Sequence, residues 1–172
     1  MRKIILGVAV SLDGLIEGPK GEYDWCFTDQ DYGMGDFMKR IDAIFYGRKS
    51  YDVMTKEVQS SGTNFFEGKE SYVFSNTLTQ VGSAHLINGD FVNKVNQIKQ
   101  DGGKDIWLFG GATLTESLIN AGLVDELLLA VHPVILGSGK PLFLGIRGRI
   151  KTKLLDSKTY STGLVSLQYA LE

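Results

Sequence analysis

One stretch limits the fold more than any other: Asp105-Ile-Trp-Leu-Phe-Gly-Gly-Ala-Thr-Leu-Thr-Glu-Ser-Leu-Ile119. Ile106 to Phe109 is a continuous apolar run, the pattern of a strand buried on both faces. Gly110-Gly111 breaks it, and Leu114, Leu118, Ile119 and Ala121 then recur at the spacing of one apolar helix face. Thr113 and Glu116 stand at capping-box spacing. Buried strand, glycine pair and helix N-terminus in succession let a phosphate approach bare backbone at the positive end of a helix dipole. A glycine pair also serves a plain tight turn, and the stretch is neither G-x-G-x-x-G nor a P-loop, so both readings stay open here.

The same grammar recurs along the chain. Lys3 to Val10 reads as a central strand, followed by the glycine-punctuated loop Ser11-Leu-Asp-Gly-Leu-Ile-Glu-Gly. Met34, Phe37, Met38 and Ile41 are spaced for a short helix. Ala43 to Tyr46 reads as a second buried strand ending at Gly47-Arg48-Lys49-Ser50, with a helix beginning at Gly47 or Ser50 and running to about Glu57. Two cations at that turn suit a phosphate; a solvated basic turn is the plainer alternative. Tyr72-Val-Phe74 is a third strand, closed by Ser75-Asn76, and Ala84 to Ile87 a weak one. Phe91, Val92, Val95 and Ile98 mark another helix, Glu126 to His132 another strand, and Ile150–Tyr160 with Leu164–Leu171 a closing hairpin turned at Ser161-Thr-Gly163.

Strand–helix units followed by a hairpin predict one α/β domain over 1–172, with a mostly parallel sheet and an antiparallel edge. Three strands end in small or basic residues, at Gly47-Arg-Lys-Ser, Ser75-Asn and Gly110-Gly-Ala-Thr. In a parallel sheet these ends share one rim, where α/β proteins bind ligands, and together they suit an extended ligand with several phosphates. The net charge of −2 gives no basis for a nucleic-acid or anionic-membrane partner. No apolar run approaches the length of a membrane span, and one cysteine with two histidines makes a disulfide framework or a zinc site a poor fit. The first strand starts almost at Met1 with no secretory h-region, so a cytoplasmic location is expected.

The ordered set Val10-Ser-Leu-Asp-Gly14, Asp24-Trp25, Phe45-Tyr-Gly-Arg-Lys-Ser-Tyr51, Val73-Phe-Ser-Asn76, Leu108-Phe-Gly-Gly-Ala112, Leu123-Val-Asp-Glu126 and Pro133-Val-Ile-Leu-Gly-Ser-Gly-Lys-Pro-Leu-Phe143 resembles the dihydrofolate reductase-like superfamily. It is closer to the branch containing the reductase domain of bacterial riboflavin biosynthesis. The resemblance spans nearly the whole chain and implies a three-layer α/β/α fold around a mixed sheet of about eight strands. It also implies an NADPH-dependent reductase acting on a small heterocyclic or carbonyl substrate.

By that resemblance Gly47, Arg48, Lys49 and Ser50 hold cofactor phosphates, Ser75 and Asn76 lie near the adenosine ribose and its 2′-phosphate, and Gly110, Gly111, Ala112, Thr113 and Leu114 receive the pyrophosphate. Ala9, Asp13, Gly14 and Ile16 line the nicotinamide and substrate side. The glycine pair is expected to be joined by a cis peptide, which without proline costs ~3–4 kcal/mol. For the proton that such a reduction requires, Asp29, Asp31 and Asp36 are the candidates on or before the first helix, with Asp13 beside the nicotinamide. The resemblance further implies a homodimer, with the glycine-rich loop 137–139 and the final strands at its interface. The alternative of a different class is a dinucleotide-binding module without turnover, serving as a sensor or assembly protein.

Overall fold

A computed structural model describes residues 1–172. The elements in chain order are β1 (Ile4–Ser11), β2 (Leu15–Glu17), α1 (Met34–Arg40), β3 (Ile41–Gly47), α2 (Arg48–Ser61), β4 (Glu70–Phe74), β5 (His85–Ile87), α3 (Phe91–Gln100), β6 (Asp105–Gly110), α4 (Ala112–Asn120), β7 (Glu126–His132), β8 (Lys140–Pro141), β9 (Thr152–Thr159) and β10 (Val165–Leu171). An eight-stranded sheet runs β5-β4-β3-β6-β1-β7-β10-β9. The first six of these strands are mutually parallel, whereas β10 runs antiparallel to both β7 and β9.

Period-2 alternation divides the strand side chains between two faces, and each face has its own core. Ile4, Leu6, Ala43, Phe45, Ile106 and Leu108 meet Val95 and Ile98 of α3 and Leu114, Leu118 and Ile119 of α4. Ile5, Ile44, Tyr46 and Trp107 meet Phe37 of α1, with Tyr51 and Met54 of α2 packed against them. Helices thus cover both faces, the arrangement that lets central strands be apolar throughout. Gly7 is a close approach within the core: the Trp107 indole Nε1–H donates to its carbonyl at 2.9 Å, and a Cβ there would lie 2.8 Å from that nitrogen.

Several elements depart from the sequence expectation. Ile41 opens β3 directly after α1 instead of closing the helix, because the chain enters the sheet without a loop. α2 runs on to Ser61, since nothing breaks it before Gly62, whose αL conformation ends it with an N–H bond to the Val58 carbonyl. Thr113 and Glu116 form no capping box: α4 begins at Ala112, its N-cap is Gly111, and no side chain caps it. The small sheet of β2 and β8 pairs Leu15 with Pro141 and Glu17 with Lys140. β2 and β8, at three and two residues, carry no periodicity by which the sequence could announce them.

Candidate dinucleotide site at the strand ends

After β3 the chain turns outward to β4 and β5, and after β6 it passes β1 to reach β7 on the other side. The loops leaving β3 and β6 therefore diverge from neighbouring strands, and α2 and α4 start there on opposite faces of the sheet. Such a switch point opens a crevice at the carboxyl ends of the strands. Both helices start with a glycine at the N-cap, Gly47 and Gly111, and neither has a side-chain cap. Two sets of free N–H groups and two positive dipole ends thus flank one crevice.

The two turns touch. Gly111 N–H donates to Ser50 Oγ at 3.1 Å. A Cβ on Gly47 would meet the Gly110 carbonyl oxygen at 3.5 Å, and one on Gly111 would meet Ser50 Oγ at 3.3 Å. Gly110 has φ 118, a region L side chains rarely adopt, and the space where its Cβ would point is open. The chain contains no cis peptide, so the expected cis bond between Gly110 and Gly111 is absent. The turn is made instead by Gly110 at φ 118 and Gly111 at φ 16 and ψ 153, conformations open to glycine.

The other residues singled out in the sequence fall around this rim. Arg48 is a loose, exposed partner of Asp52 at 3.7 Å, so its guanidinium is free to turn to a ligand; Lys49 is exposed beside it. Ala112 and Leu114 belong to the buried core under the turn, whereas Thr113 is exposed. Ser75 and Asn76 already serve the local backbone: Ser75 Oγ accepts from Thr77 and Leu78 N–H, each at 3.2 Å, and Asn76 Oδ1 accepts from Gly89 N–H at 3.2 Å. Ala9 is half-buried on β1, and Ile16 on β2 packs against the α3–α4 core.

Gly14, at φ 80, receives the Leu142 N–H on its carbonyl at 2.9 Å, one of several ties between the 12–17 and 134–142 segments. The strongest tie is Asp13. Its carboxylate accepts from Ser11 Oγ–H at 2.6 Å, Gly137 N–H at 2.8 Å and Leu136 N–H at 3.1 Å. The Ser11 hydroxyl first, then the Gly137 and Leu136 amides, pull its pKa down to about 2. Asp36 is solvent-facing and paired with Lys39 at 2.8 Å; the Lys39 hydrogen bond and charge hold its carboxyl below the ordinary range. Asp31 spends both oxygens on N–H groups at the head of α1, from Gly35 at 2.8 Å and Gly33 at 3.0 Å. Asp29 accepts the Tyr32 hydroxyl at 2.6 Å.

His132, at the end of β7, was not singled out by the sequence. It is buried, its Nε2 accepts Phe27 N–H at 3.1 Å, and its Nδ1 lies 3.0 Å from the Ala130 carbonyl. Trp25 and Phe27 pack on its ring at 5.3 and 5.0 Å, so it anchors the 22–33 segment over the rim. Burial pushes the Cys26 thiol up to about 11, which leaves it protonated and unreactive at neutral pH.

Fold and crevice together define an α/β protein of the dihydrofolate reductase-like kind. Residues 2–166 match the family described as RibD C-terminal domain, and the chain belongs to that family. It is 45% identical to YyaP of Bacillus subtilis (strain 168), an uncharacterised protein, over 98% of this chain and 94% of that one. Among solved structures it is similar to a Shewanella sp. PV-4 protein assigned to riboflavin biosynthesis, with a TM-score of 0.85 and 26% identity over 100% of this chain and 99% of that chain. It also shares its fold with dihydrofolate reductase from Enterococcus faecalis, solved with NADP(H): TM-score 0.67, 13% identity, 99% and 96% coverage. No helix is long and apolar enough to cross a membrane.

Proposed function

We propose that this chain is an NADPH-dependent reductase, one domain over 1–172, acting on a small heterocyclic or carbonyl substrate in the cytoplasm. The observation that carries the reading is the meeting of two uncapped helix N-termini and bare glycine backbone at one crevice, with Arg48 and Lys49 in the first turn of α2. Backbone N–H groups of the α2 and α4 first turns would bind the pyrophosphate, and Arg48 and Lys49 the remaining phosphate charge. Gly110 leaves room for close approach, Thr113 offers a hydroxyl, and Ala112 and Leu114 fix the turn from below. Ser75 and Asn76 would border the ribose. Ala9, Gly14 and Ile16 would line the nicotinamide side, where the bound cofactor supplies the hydride.

The chain's own part is binding, orientation and proton handling. Asp13 clamps the 134–142 segment and is a positioning residue in this reading. Asp13 is tied to the 134–142 segment and Asp36 to Lys39, and Asp31, at the head of α1, is the carboxyl this reading assigns to the proton. Titration with NADPH and NADH, followed by Trp25 and Trp107 fluorescence, tests the cofactor. Micromolar NADPH binding with a preference over NADH of tenfold or more is expected, and binding of neither would sink the reading. Asp31→Asn is expected to lower kcat at least tenfold with NADPH affinity unchanged.

The second reading, a dinucleotide-binding module without turnover, is favoured by the protein groups that already engage the Asp13, Asp31 and Asp36 carboxylates. It predicts tight NADPH binding with no oxidation across a panel of pterins, pyrimidines and carbonyls. A second copy of this chain is the proposed partner. β9 is a fully exposed edge strand with Leu154 and Leu155 half in solvent, an edge that invites pairing. Pairing about a two-fold axis between those leucines would set Lys153 opposite Asp156 of the second copy. Light scattering is expected to give the mass of two chains; the mass of one would exclude the dimer.

A further inference from the structure

Tyr46 and Phe109 are the residues immediately before the two glycines of the crevice, Gly47 and Gly110, and the register places Tyr46 beside Gly110. With Trp107 they form an aromatic floor on the α1–α2 face, their rings 5.0 to 5.3 Å apart in adjacent pairs. Along the strands, this floor ends at the two glycines that open the crevice. A ring from elsewhere covers it: Phe66 stands edge-on to Trp107 at 5.5 Å, to Phe109 at 5.8 Å and to Tyr46 at 6.5 Å.

Phe66 comes from the segment between α2 and β4, and of residues 61–68 it alone is not exposed. The segment is flanked by Gly62 at φ 69 and Gly68 at φ 77, each with open space where a Cβ would stand. Its backbone N–H bonds stay within the segment and its immediate flanks: Gly62 N–H to Val58, Thr63 N–H to Ser61 Oγ, Phe66 N–H to Asn64 Oδ1, Glu67 N–H to Asn64 and Lys69 N–H to Phe66. The anchor lies beyond the second glycine, where Lys69 Nζ donates to the Met38 and Ile41 carbonyls at 2.9 and 2.8 Å. Inside that anchor, one phenylalanine ring is all that seats the segment on the body. The ring makes no polar bond and stacks face-to-face with nothing, so a flat ligand ring offers the floor at least as good a surface.

We infer that Phe66 is a gate: its ring occupies the place of a planar, uncharged substrate ring, and the 63–67 segment must swing out on Gly62 and Gly68 before that ring can bind. Phe66 thereby sets which substrates enter, admitting those whose ring outcompetes a benzyl group on Tyr46, Trp107 and Phe109. The inference rests on the reductase reading for the identity of the ligand as substrate. The exchange itself is a property of the apoprotein.

A closed gate taxes affinity by the fraction of molecules that are open. If roughly one molecule in ten or fewer is open, removing the ring tightens binding about tenfold or more. The probe is lumazine, an uncharged pteridine, titrated by fluorescence without cofactor into wild type, Phe66→Ala and Phe65→Ala, the last at an exposed neighbour. Tighter binding of about tenfold by Phe66→Ala, with Phe65→Ala matching wild type, is expected. Equal or weaker binding by Phe66→Ala, or no binding by any of the three, overturns the gate. Should Phe66→Ala fail to fold, wild type labelled with 4-fluorophenylalanine serves: saturating lumazine moves the Phe66 fluorine resonance to the solvent position, and a resonance that stays put overturns the inference. Failure of the cofactor reading would show separately, as wild type that binds no NADPH.

Discussion

Gly110→Ala is expected to weaken NADPH binding at least a hundredfold while leaving a folded protein. Gly110 sits at φ 118, which an L side chain reaches only with strain of about 1–3 kcal/mol. That strain leaves two outcomes, and each harms the site. If the backbone holds, the new methyl fills the open space beside the turn, where the pyrophosphate would approach. If the backbone relaxes, Gly111 shifts and its N–H leaves Ser50 Oγ, separating the two helix N-termini. A hundredfold loss is about 2.7 kcal/mol, within what two charge-assisted backbone bonds supply at roughly 1.5–3 kcal/mol each. Gly122→Ala is the control. Gly122 has φ 65 and equally open space, but it follows α4 at the end away from the crevice. It should cost similar stability and leave NADPH affinity untouched. Equal effects of the two substitutions on NADPH affinity would mean that the glycine pair is only a turn.

The turn was legible in the sequence because its constraints are local. An unbroken apolar run, two glycines and an apolar helix face specify strand, break and helix without reference to the rest of the chain, and Ile106, Leu114 and Leu118 lie buried as that pattern requires. The shared rim was legible for the same reason: units that end alike, in a parallel sheet, end together. Two kinds of feature were not legible. The cap of α4 depends on where the helix begins, and it begins one residue before Thr113, with Gly111 as its N-cap. Asp13, His132 and Phe66 owe their places to partners about 20 to 124 residues away along the chain, a relation that no local spacing encodes. Asp13 stood in the sequence as a candidate donor, and no spacing there announced that its carboxylate accepts from the amides of Leu136 and Gly137.

The opposite rim of the sheet carries the second large effect, and it is one of stability. Glu126 opens β7 at 2% exposure, and its carboxylate accepts from Lys3 Nζ at 2.6 Å, Arg40 Nη2 at 2.8 Å and Gln168 Nε2 at 2.8 Å. It thereby ties β1, α1 and β10 to the base of β7. Burial pushes its pKa up, but the Lys3, Arg40 and Gln168 hydrogen bonds outweigh that and leave it below the ordinary value. Removing one partner of a buried ion pair costs ~3–5 kcal/mol. Lys3 and Arg40 remain partly in solvent, at 54% and 33% exposure, and can be rehydrated, so the lower end applies. Glu126→Ala should therefore lose about 3 kcal/mol, or roughly 6–12 °C in Tm for a chain of this length. A group whose folded pKa is depressed stabilises fully above its unfolded value, near 4.3, and loses that contribution as pH falls. The gap between wild type and Glu126→Ala is expected to be constant from pH 8 to about 5 and to narrow below about 4.3. Thermal melts across that range decide it. A gap under 1 kcal/mol at neutral pH would show Lys3 and Arg40 to be independent of the carboxylate. A gap that persisted at pH 3 would assign the loss to packing and not to charge. NADPH affinity at neutral pH should be the same in both proteins, because this network holds the sheet at the end away from the crevice.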